Sequence, residues 1–376
     1  MTLTSPKPVL VIVDASVAVT GALVSAARQA ELLRDEVATA LVLPRGHRVP
    51  KERLRAFEQV IELPIVPLRK TVRSLIGYLP ALLAATMGLR RELRRLQATR
   101  VQLNDFYLMH GAVLRLLGFR GRVVTFVRID PRRFGIAGRL WLAAARRASD
   151  ELVAVSRFIQ GQLGPSYPSR LLYEHIPALP AIGPQVSGQL LLFVGNFTEG
   201  KGQDDAIAAF NRIAGDFPEA RLRFVGGDMG LDKNRAFRAK VERLASEGPA
   251  PSRIEFRGAT DDLDADYRDA FAALNFSASE SFSMTCLDAS AAGLPVIATR
   301  CGGPEEIIED GRTGWLVPVG DVSAMAQRMR WLMQQREAAA AMGVAGRELV
   351  QERFAPEPAK AALCDVLALA ERDQLR

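Results

Sequence analysis

Cysteine and histidine are scarce in this sequence. Three cysteines (Cys286, Cys301, Cys364) cannot build a disulfide framework, which points to a reducing compartment. The three histidines (His47, His110, His175) are widely separated, and neither C-x2-C nor H-E-x-x-H occurs, so a zinc ion held by protein ligands is not expected. Aromatic residues make up 7% and do not interleave with basic ones, which argues against a nucleic-acid partner despite a pI near 9.6. No G-x-G-x-x-G pattern marks a dinucleotide site. A Walker loop is excluded as well, because Gly202 follows Lys201 where Ser or Thr is required. No secretory leader is read, since MTLTSPKPVLVIVDAS runs straight into an apolar strand.

What is present describes a globular chain. With 376 residues, 48% hydrophobic and 24% charged, two domains are expected. Charge divides them: residues 1–180 carry 27 Lys+Arg against 13 Asp+Glu, and residues 181–376 carry 22 against 29. A basic half points to a membrane surface or a nucleic-acid partner, and also fits a soluble protein with a basic surface. The charge switch coincides with Pro177–Gln189 (PALPAIGPQVSGQ), a stretch without periodicity that reads as the linker.

Before the linker, Pro8–Val13, Thr39–Leu43, Gln59–Leu63, Val101–Leu103 and Arg122–Phe126 read as buried strands. ELVAVSRFIQ (Glu151–Gln160) adds a strand followed by a helix opened by Ser156, and Ala22–Asp35 and Leu140–Ala148 read as helices. After it come strands at Leu190–Val194, Arg221–Gly226, Arg253–Gly258, Ala272–Phe276, Val296–Thr299 and Trp315–Val317. Asp321–Glu337 and Ala338–Arg353 read as helices, the second interrupted by Gly343 and Gly346. A last helix starts near Pro356. Strands alternating with helices predict an α/β fold with parallel sheets. Residues 68–100 hold eight basic residues and one acid, Glu92, around an uncharged core, Ser74–Leu89, interrupted by Gly77 and Pro80. That core is too short to span a bilayer. It fits a segment lying on an anionic membrane, or two buried helices with a solvated arginine face.

The chemistry concentrates in Ala272–Val319. A strand ends in small polar residues and Glu280, a helix follows with Asp288 eight residues on, and a second strand leads to Gly302-Gly303 and a helix opened by Pro304. Ligands bind at the carboxyl ends of such strands. Upstream, GNFTEGKGQDD places Gly195, Asn196, Lys201 and Gly202 before another helix, whose amides and dipole favour a phosphate. The run Glu280-x7-Asp288 with LPVIAT and GGPEEIIEDGRTGWLV behind it resembles the retaining nucleotide-sugar glycosyltransferases of family 4 (glycosyl transferases group 1), tightly from about Leu190 to Asp321 and loosely before.

The resemblance implies a GT-B fold of two Rossmann-like domains facing across a cleft. Residues 1–180 would form the acceptor-binding domain, 181–355 the donor-binding domain, and 356–376 a helix crossing back to the first. It implies Glu280 on the hydroxyls of the transferred sugar, Asp288 on the nucleotide ribose, and Lys201 on the diphosphate. The amides of Ser283, Met284 and Thr285 join Lys201 there, as does the glycine turn at Gly195 and Gly202, while the loops at Gly226 and Gly258 would hold the nucleotide base. The first βα loop, glycine-rich in the family, here holds Gly21 alone. Asn196 stands for an arginine, Arg128 or Asp130 for a histidine, and Asp288 for a glutamate. Arg128 could contact phosphate and Asp130 could orient the acceptor hydroxyl; Asp130-Pro131 also reads as a turn initiator. Retention implies a front-face displacement in which the donor phosphate takes the acceptor proton, with no metal. The expected acceptor is a lipid-linked or surface-polysaccharide glycan met in the cytoplasm at the inner membrane face, through residues 68–100. The four departures leave a second reading, a non-catalytic nucleotide-sugar-binding subunit.

Overall fold

The computed structural model describes residues 7–66, 72–176, 188–260 and 262–369, without the side chains of 72–76. Most of the expected linker, residues 177–187, lies outside the described residues. The chain divides into two compact units, Met1–Glu174 with Pro356–Arg376, and His175–Ala355.

The first unit runs β1 (Val9–Val13), α1 (Gly21–Leu32), β2 (Ala38–Pro44), β3 (Gln59–Leu63), α2 (Val72–Arg95), β4 (Arg100–Leu103), α3 (His110–Leu116), β5 (Arg122–Val127), α4 (Gly135–Ala148), β6 (Glu151–Ala154), α5 (Arg157–Leu163) and β7 (Arg170–Leu171). Among the described residues these strands form one parallel sheet in the order β3-β2-β1-β4-β5-β6-β7. The apolar runs of β1, β2 and β5 are continuous because helices cover both faces, leaving Leu10–Val13 and Leu41–Leu43 without exposed surface. Two side-chain caps are placed as local chemistry dictates. Thr20 accepts from the Leu23 amide at the start of α1, and Ser156 from the Ile159 amide at the start of α5. Contrary to the expected break at Gly77 and Pro80, α2 is a single helix with Pro80 inside it. Its Leu82, Ala85, Leu89 and Leu93 follow helical spacing into a core with Val11, Leu63 and Leu103, and that burial outweighs one missing backbone hydrogen bond.

The second unit runs β8 (Leu190–Val194), α6 (Gln203–Asn211), β9 (Arg221–Val225), α7 (Asp232–Ser246), β10 (Ile254–Arg257), α8 (Asp264–Asp269), β11 (Ala272–Asn275), α9 (Met284–Ala291), β12 (Val296–Thr299), α10 (Pro304–Ile307), β13 (Gly314–Val317), α11 (Val322–Gln334) and α12 (Arg336–Arg353). Its described strands are all parallel, in the order β10-β9-β8-β11-β12-β13. The order reverses between β8 and β11, so the loops after these two strands meet at a topological switch point. Gly343 and Gly346 do not interrupt α12. A Cβ at Gly343 would lie 2.1 Å from the Gly293 carbonyl oxygen, and one at Gly346 3.2 Å from that of Thr313. Gly343 lets the helix pack against the turn after α9, and Gly346 against the turn before β13.

The chain ends in α13 (Pro356–Val366), which belongs to the first unit. Arg100 donates to the carbonyls of Leu367 (2.9 Å) and Ala368 (2.7 Å), and Arg122 to that of Val366 (2.6 Å). Two strand arginines thereby satisfy carbonyls that a helix end leaves open.

Candidate active site

The site of the second unit is built on the meeting of the loops after β8 and β11. Gly200 and Gly202 bracket Lys201 with φ of +86° and +81°, a region that costs an L side chain roughly 1–2 kcal/mol. A Cβ at Gly202 would lie 2.2 Å from the Phe276 carbonyl oxygen, so only glycine allows the two backbones this close. The Ala278 amide donates to the Gly200 carbonyl at 2.8 Å and stitches the loops together. Glu280 is gripped from the other side: its amide donates to the Cys301 carbonyl (3.1 Å), and its carbonyl accepts from the Gly303 amide (2.8 Å). Gly303 is required there, since a Cβ would meet the Phe282 carbonyl oxygen at 2.1 Å.

These backbone contacts aim two charges at each other. Lys201 Nζ donates to Glu280 Oε1 at 2.7 Å, and Ser277 Oγ donates to the same oxygen at 2.7 Å. Burial opposes both charges, but the pairing more than offsets it. The Glu280 carboxyl is held below its ordinary range by the Lys201 ammonium and by hydrogen bonds from Lys201, Ser277 and Asn275. Lys201 is likewise held above its ordinary range by Glu280. The lysine side chain keeps 37% of its surface exposed and the glutamate 15%, so both can be reached. The neighbouring thiols are quiet: burial pushes Cys286 well up and Cys301 up to about 12, leaving both protonated at neutral pH.

Helix α9 opens beside this pair. Ser283 caps it in the left-handed region (φ 85°, ψ 80°), accepting from the Cys286 amide and from Asn275 Nδ2 at 3.1 Å. A non-glycine residue in this region is strained. The amides of Met284 and Thr285 start the helix, where no intrahelical acceptor exists for them. Thr285 Oγ1 donates to the Val194 carbonyl (3.4 Å), tying α9 to the end of β8. Asp288 is half-buried on α9, about one turn past its start, while Glu280 lies before the helix, bridged to Gly302.

The remaining second-unit candidates shape loops. A Cβ at Gly226 would lie 2.0 Å from the Gly195 carbonyl oxygen, so the loops after β8 and β9 touch backbone to backbone. Asn196 holds that junction, its Oδ1 accepting from the Gly227 amide (3.3 Å) and its carbonyl from Gln203 Nε2 (3.0 Å). Gly258 ends β10 with open space where a Cβ would project. Sequence reasoning missed Ser277 and Asn275, which bond Glu280 and Ser283. Their signal was the run of polar residues, NFSAS, breaking an apolar strand just before an acid.

The first-unit candidates sit in a buried polar network of their own. Arg128 donates from Nε to Asn104 Oδ1 (2.9 Å) and from Nη1 to Glu174 Oε1 (2.5 Å), with its guanidinium 4.8 Å from the centre of the Phe126 ring. Asn104 in turn donates to Asp14, the residue after β1. Asp130 caps the 3-10 turn Pro131–Phe134, accepting from the Arg132 amide (2.9 Å) and pairing with its guanidinium. Gly21 opens α1 with no atom within 4 Å of a Cβ position. Glu280, Lys201 and the start of α9 are therefore brought together within one unit, while Arg128 and Asp130 are committed to contacts within the other.

Residues 188–335 match the family model described as Glycosyl transferases group 1. The chain is 31% identical over 175 residues to N-acetyl-alpha-D-glucosaminyl L-malate synthase of Bacillus anthracis, covering 46% of this chain and 44% of that one. It is 34% identical over 176 residues to the GDP-mannose-dependent alpha-(1-6)-phosphatidylinositol monomannoside mannosyltransferase of Mycobacterium tuberculosis, covering 44% of each. These alignments span less than half the length of either relative. The fold is similar to Anabaena HepE in complex with UDP-glucose (TM-score 0.80, 16% identity, 96% of this chain and 99% of that one). It is also similar to sucrose-phosphate synthase of Thermosynechococcus elongatus (TM-score 0.79, 20% identity, 97% and 99%). Two parallel-sheet, Rossmann-like units of the GT-B kind are thus this chain's architecture.

Proposed function

We propose, from the group 1 glycosyl transferase pattern of residues 188–335, that this chain is a retaining glycosyltransferase that moves a sugar from a nucleoside-diphosphate sugar to an acceptor hydroxyl. The observation that supports it best is the Lys201–Glu280 pair at the switch point beside the opening of α9. Charge develops on the leaving diphosphate. Lys201 and the amides of Ser283, Met284 and Thr285 meet it, donors that are preorganised and need no metal. Glu280, kept ionised by Lys201, accepts hydrogen bonds from hydroxyls of the transferred sugar, and Asp288 from those of the nucleotide ribose. Glu280 is occupied by Lys201 and by the sugar hydroxyls, and the leaving phosphate takes the acceptor proton on the same face. Arg128 and Asp130 act on the acceptor side by shaping the carboxyl edge of the first sheet. The acceptor is a lipid-linked or surface-polysaccharide precursor, met by a protein that sits on the cytoplasmic face of a membrane through residues 68–100. Among the described residues no helix is long and apolar enough to cross one.

The test is nucleotide release from UDP-, GDP-, ADP- and dTDP-sugars by wild type, Glu280→Ala and Lys201→Ala. Slow hydrolysis of one donor, lost in both variants, is expected. Donor binding without turnover, even with membrane extract as acceptor, would instead assign a nucleotide-sugar-binding subunit, and absence of any binding would end the proposal.

A further inference from the structure

We propose that helices α2, α3 and α4 together form a docking face for an anionic lipid surface, with apolar stripes that enter the bilayer and arginines that meet its headgroups. The three helices make one layer of the first unit. Helix α3 lies between the other two and packs on α4 where Gly111 would meet Ala148. The inward sides are accounted for by the core: Leu82, Ala85, Leu89 and Leu93 of α2, Leu114 of α3, and Leu142 and Ala145 of α4 are buried. The outward sides carry Leu79, Leu83 and Met87 on α2, Leu116 on α3, and Ile136 and Leu140 on α4, 48% to 86% exposed. Large apolar side chains at i, i+4 and i+8 on the solvent side of a helix have no role in this unit's own core.

Charge identifies the partner. Across residues 72–95, 110–116 and 131–148 stand eleven arginines and one acid, and two flanking acids, Asp130 and Asp150, pair with Arg132 and Arg115. The one acid within, Glu92, already pairs with Arg95 at 2.6 Å and lies 3.8 Å from Arg91. The layout repeats in both long helices. In α2 the apolar stripe is followed by Arg90, Arg91, Arg94 and Arg95; in α4, Ile136 and Leu140, with Arg139 between them and Arg132 and Arg133 just before, are followed by Arg146 and Arg147. Each helix links parallel strands and so runs back against them. The two apolar stripes therefore lie at the same end of the layer, toward the carboxyl edge of the sheet, and the two arginine clusters at the other. An apolar stripe bordered by cations and almost free of acids complements anionic headgroups above hydrocarbon. A free polyanion in solution would use the arginines and leave the stripes in water.

This face deepens the acceptor side of the proposed function, extending it from residues 68–100 to α4, and its test does not depend on sugar transfer. Wild type is floated with phosphatidylcholine vesicles with and without phosphatidylglycerol, beside Leu79→Asp/Leu83→Asp, Ile136→Asp/Leu140→Asp and Arg146→Glu/Arg147→Glu. All substituted side chains are exposed, so folding is checked by thermal melting, and donor hydrolysis without lipid reports the active site separately. Expected is binding only to phosphatidylglycerol vesicles, weakened more than about tenfold by each double substitution, each arginine being worth about fivefold at such a surface. Binding that survives the α4 substitutions, binding that heparin abolishes while the aspartate variants keep it, or no binding to vesicles each overturns the proposal.

Discussion

Gly202→Ala is the perturbation that probes the active site through its backbone alone. The added Cβ would sit 2.2 Å from the Phe276 carbonyl oxygen and 2.6 Å from its carbon. Ordinary contact starts at 3.4 Å, so the loops must separate by about 1.2 Å. Alanine at a φ of +81° adds a conformational cost of roughly 1–2 kcal/mol. Neither flank can absorb the shift. Gly202 is bonded covalently to Lys201, Phe276 lies four residues before Glu280, and the Ala278–Gly200 hydrogen bond joins the loops in between. The movement falls on the 2.7 Å Lys201–Glu280 contact, which an added ångström removes as a hydrogen bond. A misplacement of this size costs on the order of 100-fold in rate. The assay is donor hydrolysis with a thermal melt on the same preparation. Expected are a melting temperature lowered by a few degrees, corresponding to about 1–3 kcal/mol, and activity reduced about 100-fold. A variant with wild-type melting and wild-type hydrolysis would refute the claim that this close approach positions the charged pair.

Four further outcomes follow. Lys201→Met and Glu280→Gln should each abolish most donor hydrolysis, and the double variant should lose little more, a coupling of about 1–3 kcal/mol; additive losses would show that the two do not act as a unit. Arg128→Met leaves Glu174 with the Ser25 hydroxyl but without the cation that pairs with it, and denaturant unfolding should show about 3–5 kcal/mol of lost stability, partly regained in Arg128→Met/Glu174→Gln. Burial holds Asp105 up to about 7, against hydrogen bonds from the Phe106 and Arg128 amides, and burial holds His110 down to about 4. The unfolded chain loses the Asp105 proton first, so that group lowers stability as pH rises from about 3.8 to 7, whereas His110 raises it from about 4 to 6.5. Asp105→Asn removes the opposing contribution while that of the histidine remains, and its melting temperature should climb more steeply with pH across that window than wild type's; a flatter profile would count against the assignment. Gly343→Ala should destabilise by about 1–3 kcal/mol because its Cβ meets the Gly293 carbonyl, while Gly21→Ala, with open space around it, should change stability by less than about 0.5 kcal/mol in a melt.

The strands, their parallel pairing and the identity of the Glu280 and Lys201 loops were legible because they rest on local signals. A strand buried on both faces must be largely apolar, as β1 and β8 are, and a turn that twice enters the left-handed region needs the glycines that flank Lys201. Helix interruptions were misread for an equally physical reason. Pro80, Gly343 and Gly346 weaken an isolated helix, and only the long-range partners of α2 and α12 show why the helices continue there. Helix α7 was not read, although Phe237, Val241 and Ala245 follow helical spacing, and the short α3 offered little periodicity to read. By itself the sequence determined which residues could carry charge and where the chain must turn. The tertiary structure decided which of those charges meet. Lys201 and Glu280 are 79 residues apart, and they touch because the sheet order reverses between β8 and β11. Arg128 is drawn instead to Glu174 and Asn104, since a buried guanidinium without a carboxylate partner is too costly to leave.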